Sequence, residues 1–404
     1  MSQLHLAVAL DGAGWHPAAW QEATARPREL LTAQYWVDLV TRARAGLLDL
    51  VTIEDSLALQ STDLDAPDGR VDRVRGRLDA VLIAARTAPL VDGIGLVPSI
   101  IATHTEPFHI SKAIATLDYV SNGRAGVRVQ VSPRPYEAEL FGRREFGDLA
   151  AALAGGVPPA NLVADLLAEA SDHIEVQRRL WDSWQDDAEI RDIATGRFID
   201  RDRLHYIDFE GRWFAVKGPS ITPRPPQGQP PVLVLAHTSQ VAAFGGRVAD
   251  VVVVTPQSAE GIAEFAGAVA QARIDAGRDA ETVHVFADVA VALDGAREPA
   301  RDRLARLDEA AALTWTGDDV PLLQGSASEI ADVLAEWQRH GVTGFRLRPA
   351  TLPVDLELIS GELVPELQRR KLFRTAYAGA TLRDRLGLPR PVNRYQVAAN
   401  GSVR

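Results

Sequence analysis

Polar residues capable of chemistry cluster where apolar runs of this chain end. Glu54-Asp55-Ser56 closes the run Leu48–Ile53, and Thr103-His104-Thr105-Glu106 closes Ile94–Ala102. His237-Thr238-Ser239 closes Val232–Ala236. Asp11 and His16 follow the first run, Leu4–Leu10, while Gln130 and Ser132 end the run Ala125–Val131, which also carries the cation Arg128. This set is suited to binding and orienting a polar ligand and is poor in strong nucleophiles. A metal centre needs His and carboxylates converging at ligand distance. His104 and His109 have Pro107 between them and no HExxH pattern occurs, so no metal is expected. A GxSxG nucleophile turn is also absent. Gly12 and Gly14 are spaced like the start of a dinucleotide-binding turn, but Pro17 stands where the third glycine belongs, and the signal is weak.

The elements that must position these groups follow from composition and periodicity. At 404 residues, with 46% hydrophobic and 24% charged residues, the chain has the balance of a soluble globular protein. A formal net charge of -11 argues against a nucleic-acid surface. The lack of cysteine excludes disulfides, thiolate metal sites and cysteine nucleophiles. No apolar run reaches the ~18 residues of a membrane span. The opening MSQLHLAVALDG has no basic region and reads as a strand, so a cytoplasmic enzyme is expected.

Eight strands are predicted: Leu4–Leu10, Leu48–Ile53, Ile94–Ala102, Ala125–Val131, Val232–Ala236, Val251–Val254, Val283–Leu293 and Gly344–Leu347. Helix-like segments alternate with them, which predicts an α/β fold, a TIM (β/α)8 barrel. One domain is expected over 1–390, with insertions at about 133–165 and 185–230 and a tail at 391–404. The second insertion reads as a lid or flap. A strong helix is expected from about Asp165 to Trp184, a loop up to about Gly325, and a long helix from Leu356 to Arg370 followed by polar chain.

Barrel chemistry sits at the C-terminal ends of the strands, where each candidate has a functional and a bland reading. Asp55 is a ligand contact or a solvated strand end. His104 is catalytic or a hydrogen-bonded turn residue, and Arg128 is catalytic or paired with an inner carboxylate. Thr238 and Ser239 meet a phosphate at a helix N-terminus or cap that helix. Trp15, His16, Phe141 and Trp213 are candidates to line a substrate pocket, each equally good as packing.

Longer blocks carry a family signal. VPELQRRKLFRTAYAGATLRDRLGL and FEGRWFAVKGPSITPRPPQGQPPVLVLAHTS are the most specific, supported by LLDLVTIEDS, ATHTEPFHISKAIATLDYVSNGRAG and RRLWDSW. From the first strand to about Leu388 the chain resembles the bacterial luciferase-like flavin-dependent monooxygenases, in particular the nitrilotriacetate and dibenzothiophene-sulfone monooxygenase branch. The resemblance implies a barrel that binds reduced FMN supplied by a separate flavin reductase. Oxygen would add at the flavin C4a position, giving a peroxyflavin that oxygenates a small organic substrate. It also implies a homodimer or homotetramer.

By position, the resemblance places Asp55 and Thr103 at the flavin and Ala236, His237, Thr238 and Ser239 in the phosphate turn. Arg128, Gln130 and Ser132 fall in the strand-four segment that also faces the cofactor, and Arg128 and His104 are the candidates for catalytic roles. Three departures stand out. Arg128-Val129-Gln130-Val131-Ser132 replaces Asn-Val-Val-Thr-Ser, Leu167 replaces a phosphate-binding tyrosine, and His237 replaces a glycine. His237 either donates to the phosphate or blocks it. Two alternatives follow: an F420-dependent oxidoreductase on the same fold, and a binding protein whose flavin site has decayed.

Overall fold

The structure is a computed structural model that describes residues 3–61, 67–142, 144–146 and 160–396. The first strands are β1 (His5–Leu10), β2 (Leu50–Ile53), β3 (Gly95–Ile101) and β4 (Val127–Gln130). Two short hairpins follow, β5 (Glu189–Asp192) with β6 (Arg197–Ile199) and β7 (Phe209–Glu210) with β8 (Ala215–Val216). The chain then forms β9 (Val232–Ala236), β10 (Val251–Val254), β11 (His284–Leu293), β12 (Leu322–Gly325) and β13 (Gly344–Pro349). Strands β1, β2, β3, β4, β9, β10, β11 and β13 pair in that order, all parallel, and β13 returns to β1. This is the expected closed barrel of eight strands.

The intervening helices are α1 (Ala33–Ala45), α2 (Ala80–Thr87), α3 (Pro107–Val120), α4 (Pro135–Glu139) and α5 (Ala160–Asp182). After β9 come α6 (Ser239–Val248), α7 (Ala259–Asp275), α8 (Ala300–Ala311) and α9 (Ala327–Arg339). Side-chain oxygens of Thr32, Asp79, Thr238 and Ser258 accept from the first turns of α1, α2, α6 and α7. Ser326 and Glu329 form a full capping box on α9. Among the described residues no helix is long and apolar enough to cross a membrane.

Strand residues alternate between two environments. Leu6, Val8, Val51, Ile53, Val127, Val129, Val252 and Val254 join the large cluster that the helices cover. Their neighbours Ala7, Leu50, Val97, Leu233, Val251, Val253 and Phe286 point inward and form a separate cluster with Leu382, Leu386 and Leu388. The barrel's N-terminal end is therefore plugged from below by the chain's own C-terminal segment.

The structure departs from the sequence reading in four places. Residues Leu322–Gly325 form β12, which pairs with the C-terminal half of β11, where a loop was expected. Half-buried residues without alternation explain the miss. Helix α5 begins at Ala160, ahead of the expected Asp165, and much of the first insertion, 147–159, lies outside the described residues. The expected long helix runs from Val354 to Arg369, interrupted by a π turn at Ile359–Leu363. The polar chain after it is packed, with Leu372, Phe373, Leu382 and Leu386 buried. Asn393 is buried too and donates to the carbonyls of Asp182 and Trp184; residues 397–404 of the expected tail lie outside the described residues.

Leu382 is the centre of the plug, set against glycines at the starts of two barrel strands. A Cβ on Gly95 would come within 2.7 Å of it, and one on Gly126 within 3.4 Å. Leu382→Ala leaves a hole at the barrel floor and is expected to cost about 2–5 kcal/mol. Urea unfolding checks this; a cost well below that range would mean the plug is dispensable.

Candidate functional site

Above the apolar floor, the inward positions of the same strands are charged. Thr52 and Glu54 follow Leu50, Ser99 follows Val97, Asp288 follows Phe286, and Arg346 and Arg348 alternate along β13. All are buried, with Arg346 and Asp288 at 0% exposure. Such charges survive burial only when paired and hydrogen-bonded, and these are. Arg128 donates to Ser99 Oγ at 2.9 Å and forms an ion pair with Glu54. The other Glu54 oxygen accepts from Arg346, which also donates to Thr52 Oγ1 at 3.0 Å and to Asp288 at 2.7 Å. Arg348 donates to the same Asp288 oxygen at 2.6 Å and reaches Asp319 at 2.5 Å. Trp15 lies over Arg348, 4.3 Å from ring centroid to guanidinium carbon.

Burial alone would raise the Glu54 carboxyl, but Arg128, Arg346 and Arg348 outweigh it and hold the group at about 2. Burial also pulls Arg128 down, to about 10 even beside Glu54, so it stays charged at neutral pH. The chain of charges emerges at the mouth through Asp319, whose carboxylate lies 3.1 Å from His237 Nδ1.

On the rim, β2, β3 and β4 are laced together by the predicted residues. Gln130 Nε2 donates to the Asp55 carbonyl at 3.1 Å, and Ser132 N donates to Thr103 Oγ1 at 2.9 Å. The Asp55 carboxylate accepts from Ser56 N and from Ala80 N at the start of α2, 2.8 and 2.9 Å away. Burial pushes the Asp55 carboxyl up despite those two donors. Asp55, Thr103, Gln130 and Ser132 thus form one polar arc. Arg128 lies beneath it, tied to Glu54, the inner-carboxylate pairing that was one of its two sequence readings.

The strand-five turn is next on the rim, since β9 pairs with β4. Ala236 is buried at the end of β9, and Thr238 caps α6 through Val241 N at 3.4 Å. Ser239 donates to Glu264 at 2.6 Å. His237 is half-exposed, and its Nδ1 is committed to Asp319, with Thr255 Oγ1 3.4 Å away. Leu167 is buried in the main core and offers no polar group in place of the tyrosine.

Beside the arc, a cavity of about 280 Å3 gathers Thr103, His104, Phe141, Arg144 and Trp213. His104 is buried and stacks on Phe141 with centroids 5.3 Å apart. Phe141 and Trp213, from the two insertions, therefore share one recess with Thr103 and His104. The other two pocket candidates belong to packing. Trp15 donates to the Ala9 carbonyl and covers Arg348, and buried His16 lies 3.0 Å from Asp308. Gly12 and Gly14 serve the turn after β1: both have positive φ, and a Cβ on Gly14 would strike the Ala350 carbonyl at 2.5 Å.

A second cavity, about 320 Å3, opens between the loops after β1 and β2 and reaches Glu54. A larger one, about 660 Å3, lies at the opposite end of the barrel, where Arg178 and Arg383 are both tied to Asp250. Residues at that end of a barrel serve stability. Among the described residues no cluster of His, Cys, Asp or Glu could hold a metal ion.

Asp288, Asp319, Arg346 and Arg348 are not among the residues that the sequence singles out. Polar residues at every second position of otherwise apolar strands were the available signal for three of them. Asp319 sits in a loop and gave none.

A closed parallel barrel with its polar groups gathered at the C-terminal rim is an enzyme architecture. The luciferase-like monooxygenase family matches residues 15–341, and the chain belongs to that family. It is 27% identical to the N-acetyl-S-(2-succino)cysteine monooxygenase of Bacillus subtilis (strain 168), across 97% of this chain and 98% of that one. It is 28% identical to nitrilotriacetate monooxygenase component A of Aminobacter aminovorans, again across 97% and 98%. A solved long-chain alkane monooxygenase superimposes with a TM-score of 0.83 over 96% of each chain at 20% identity, a likeness of fold.

Glu54 generates a prediction with a defined sign. A carboxyl depressed in the folded state contributes stability that is fully present above its unfolded value of ~4.3. That stability is lost as the pH falls through about 2. Glu54→Gln takes the paired carboxylate from buried Arg128 and leaves Arg346 with Asp288 alone, and is expected to cost about 3–5 kcal/mol at neutral pH. It should also flatten the acid limb of the stability curve between those two values. Urea unfolding of both proteins from pH 7 to 2 measures each effect.

Proposed function

We propose that this chain is the oxygenating component of a two-component system. It would use reduced FMN, delivered by a separate flavin reductase, and dioxygen to oxygenate a small organic substrate. The observation that carries this reading is the polar arc Asp55–Thr103–Gln130–Ser132 with the N-terminus of α6 on the neighbouring strand end, in a member of the luciferase-like monooxygenase family. The word "component" in the name of the Aminobacter relative supports the separate reductase.

The donor set fits the cofactor. Asp55, Thr103, Gln130 and Ser132 offer donors and acceptors suited to the edge of a flat heteroaromatic ring. The first-turn N–H groups of a helix lack intrahelical acceptors and favour a phosphate. Those of α6, with the Thr238 hydroxyl, would hold it. His237 has its Nδ1 turned to Asp319, so the phosphate would be held by main chain and Thr238 in preference to that nitrogen. Glu264 is exposed and its bond to Ser239 is on the surface, so it can swing away from an anion.

Bound reduced flavin supplies the electrons that activate dioxygen; one oxygen atom enters the substrate and the other leaves as water. The protein's own work is to orient and to exclude water. Arg128 would act as a positioning residue, fixing Glu54 and through it the strand end that presents Asp55. His104, buried beside Thr103 in the wall of the recess with Phe141 and Trp213, would border the site of oxygenation.

Titration of the purified chain with FMN under oxidising and anaerobic reducing conditions tests the reading. Micromolar binding of at least one redox state is expected, and binding of neither would overturn it. Thr103→Val removes one hydrogen-bonding group from the arc and is expected to weaken FMN about fivefold. An unchanged affinity would place the ring elsewhere.

A further inference from the structure

The cavity between the loops after β1 and β2 is unlike the recess at His104. Its walls include Trp20, Leu30, Trp36, Val74 and Leu78, and it extends to Glu54, the neighbour of Asp55. Both indole N–H groups are already used: Trp20 donates to the Asp72 carbonyl and Trp36 to the Leu30 carbonyl, each at 3.0 Å. The rings are therefore left to offer apolar surface. Leu31 and Val71, also part of the lining, are exposed.

Three arginines enter this apolar space, and two are spent. Arg75 donates to the carbonyls of Gln60, Asp68 and Arg70 and pairs with Asp68. Arg77 grips Asp11 through two bonds, 3.1 and 2.6 Å. Arg73 makes no hydrogen bond or ion pair among the described residues, and its Nε is shut off from solvent without an acceptor. Asp72 and Asp318 feel its charge but do not bond it. The Nη groups, which are neither bonded nor shut off, are what a ligand can reach: a guanidinium without a bonded counter-charge in the lining of a cavity that also holds two indoles is a ready partner for an oxyanion.

We propose that this cavity binds the substrate, and that the substrate is a small amphipathic anion: an apolar, preferably aromatic, body carrying one oxyacid group that Arg73 recognises. The Glu54 carboxylate repels an anion at the inner end, so the charged group goes to Arg73 and the apolar body points toward Glu54 and the adjoining arc. Arg73 is then the specificity-determining residue. The inference rests on the reading of the mouth as the place of oxygenation.

Calorimetric titration of the full chain, with and without FMN, with 2-naphthoate and its neutral isostere 2-naphthamide tests it. The carboxylate is expected to bind about tenfold or more tightly than the amide, the effect of one charge-assisted hydrogen bond. Arg73→Met should remove that preference while leaving amide binding nearly unchanged, and Arg73→Lys should restore part of it. Trp20→Ala should weaken both ligands. Equal binding of the two probes to the parent chain, no binding of either, or an Arg73→Met variant that still prefers the carboxylate would each overturn the proposal. The unfolding midpoints of the variants check that they fold. FMN titration separates the two claims: Arg73→Met should bind FMN like the parent. A parent chain that binds naphthoate but no flavin would overturn the proposed function while leaving the anion pocket standing.

Discussion

One buried carboxylate organises this barrel. Glu54 stands between Arg128 and Arg346, and the pairing passes through Asp288 and Arg348 to Asp319 at the surface. Three guanidiniums and three carboxylates balance, which is what allows them inside at all. The arrangement also fixes register. A slip of one residue would turn Glu54, Arg128, Asp288 and Arg346 out against the apolar helices and bring valines into the interior. An ionic interior of this kind contributes less to raw stability than an apolar one would; its use lies in permitting one alignment of β2, β4, β11 and β13.

The same network shapes the mouth from below. Its members lie one step inside the rim residues, so the arc of Asp55, Thr103, Gln130 and Ser132 rests on a rigid polar platform. Asp319 carries the network across to β9 by engaging His237. That contact bears on the departure of greatest interest at the strand-five turn: the added imidazole is tied to Asp319, and under the proposed function the first-turn N–H groups of α6 would take the phosphate. The mouth and the floor are chemically separate, because Leu382 and its neighbours seal the opposite end with hydrocarbon.

Much of this was readable from the chain. Most of the eight strands read as apolar runs with abrupt polar ends, and parallel strands covered by helices have that pattern. The rim residues were found because they sit at those ends. What escaped was written in a weaker code. Phe-Arg-Leu-Arg in β13 and Phe-Ala-Asp in β11 alternate, but a short strand with one charge resembles a surface strand until its partners are known. Arg128 stood out only because its neighbours are all apolar, and its partner Glu54 is distant in sequence. Residues 371–396 read as polar tail because the leucines that plug the barrel are spaced among arginines that bond to backbone and carboxylates there. Asp319 lies in a loop whose course is set by β12, a strand without alternation.

The central claim is that a flavin lies across this mouth with its phosphate at the N-terminus of α6. A crystal structure of the protein soaked with FMN tests it directly. The account predicts phosphate density within hydrogen-bonding reach of Thr238 and the first-turn N–H groups of α6, and ring density against Asp55, Thr103 and Gln130. Phosphate density at the ends of β11 or β13, or a ring lodged away from the β2–β4 arc, would contradict it.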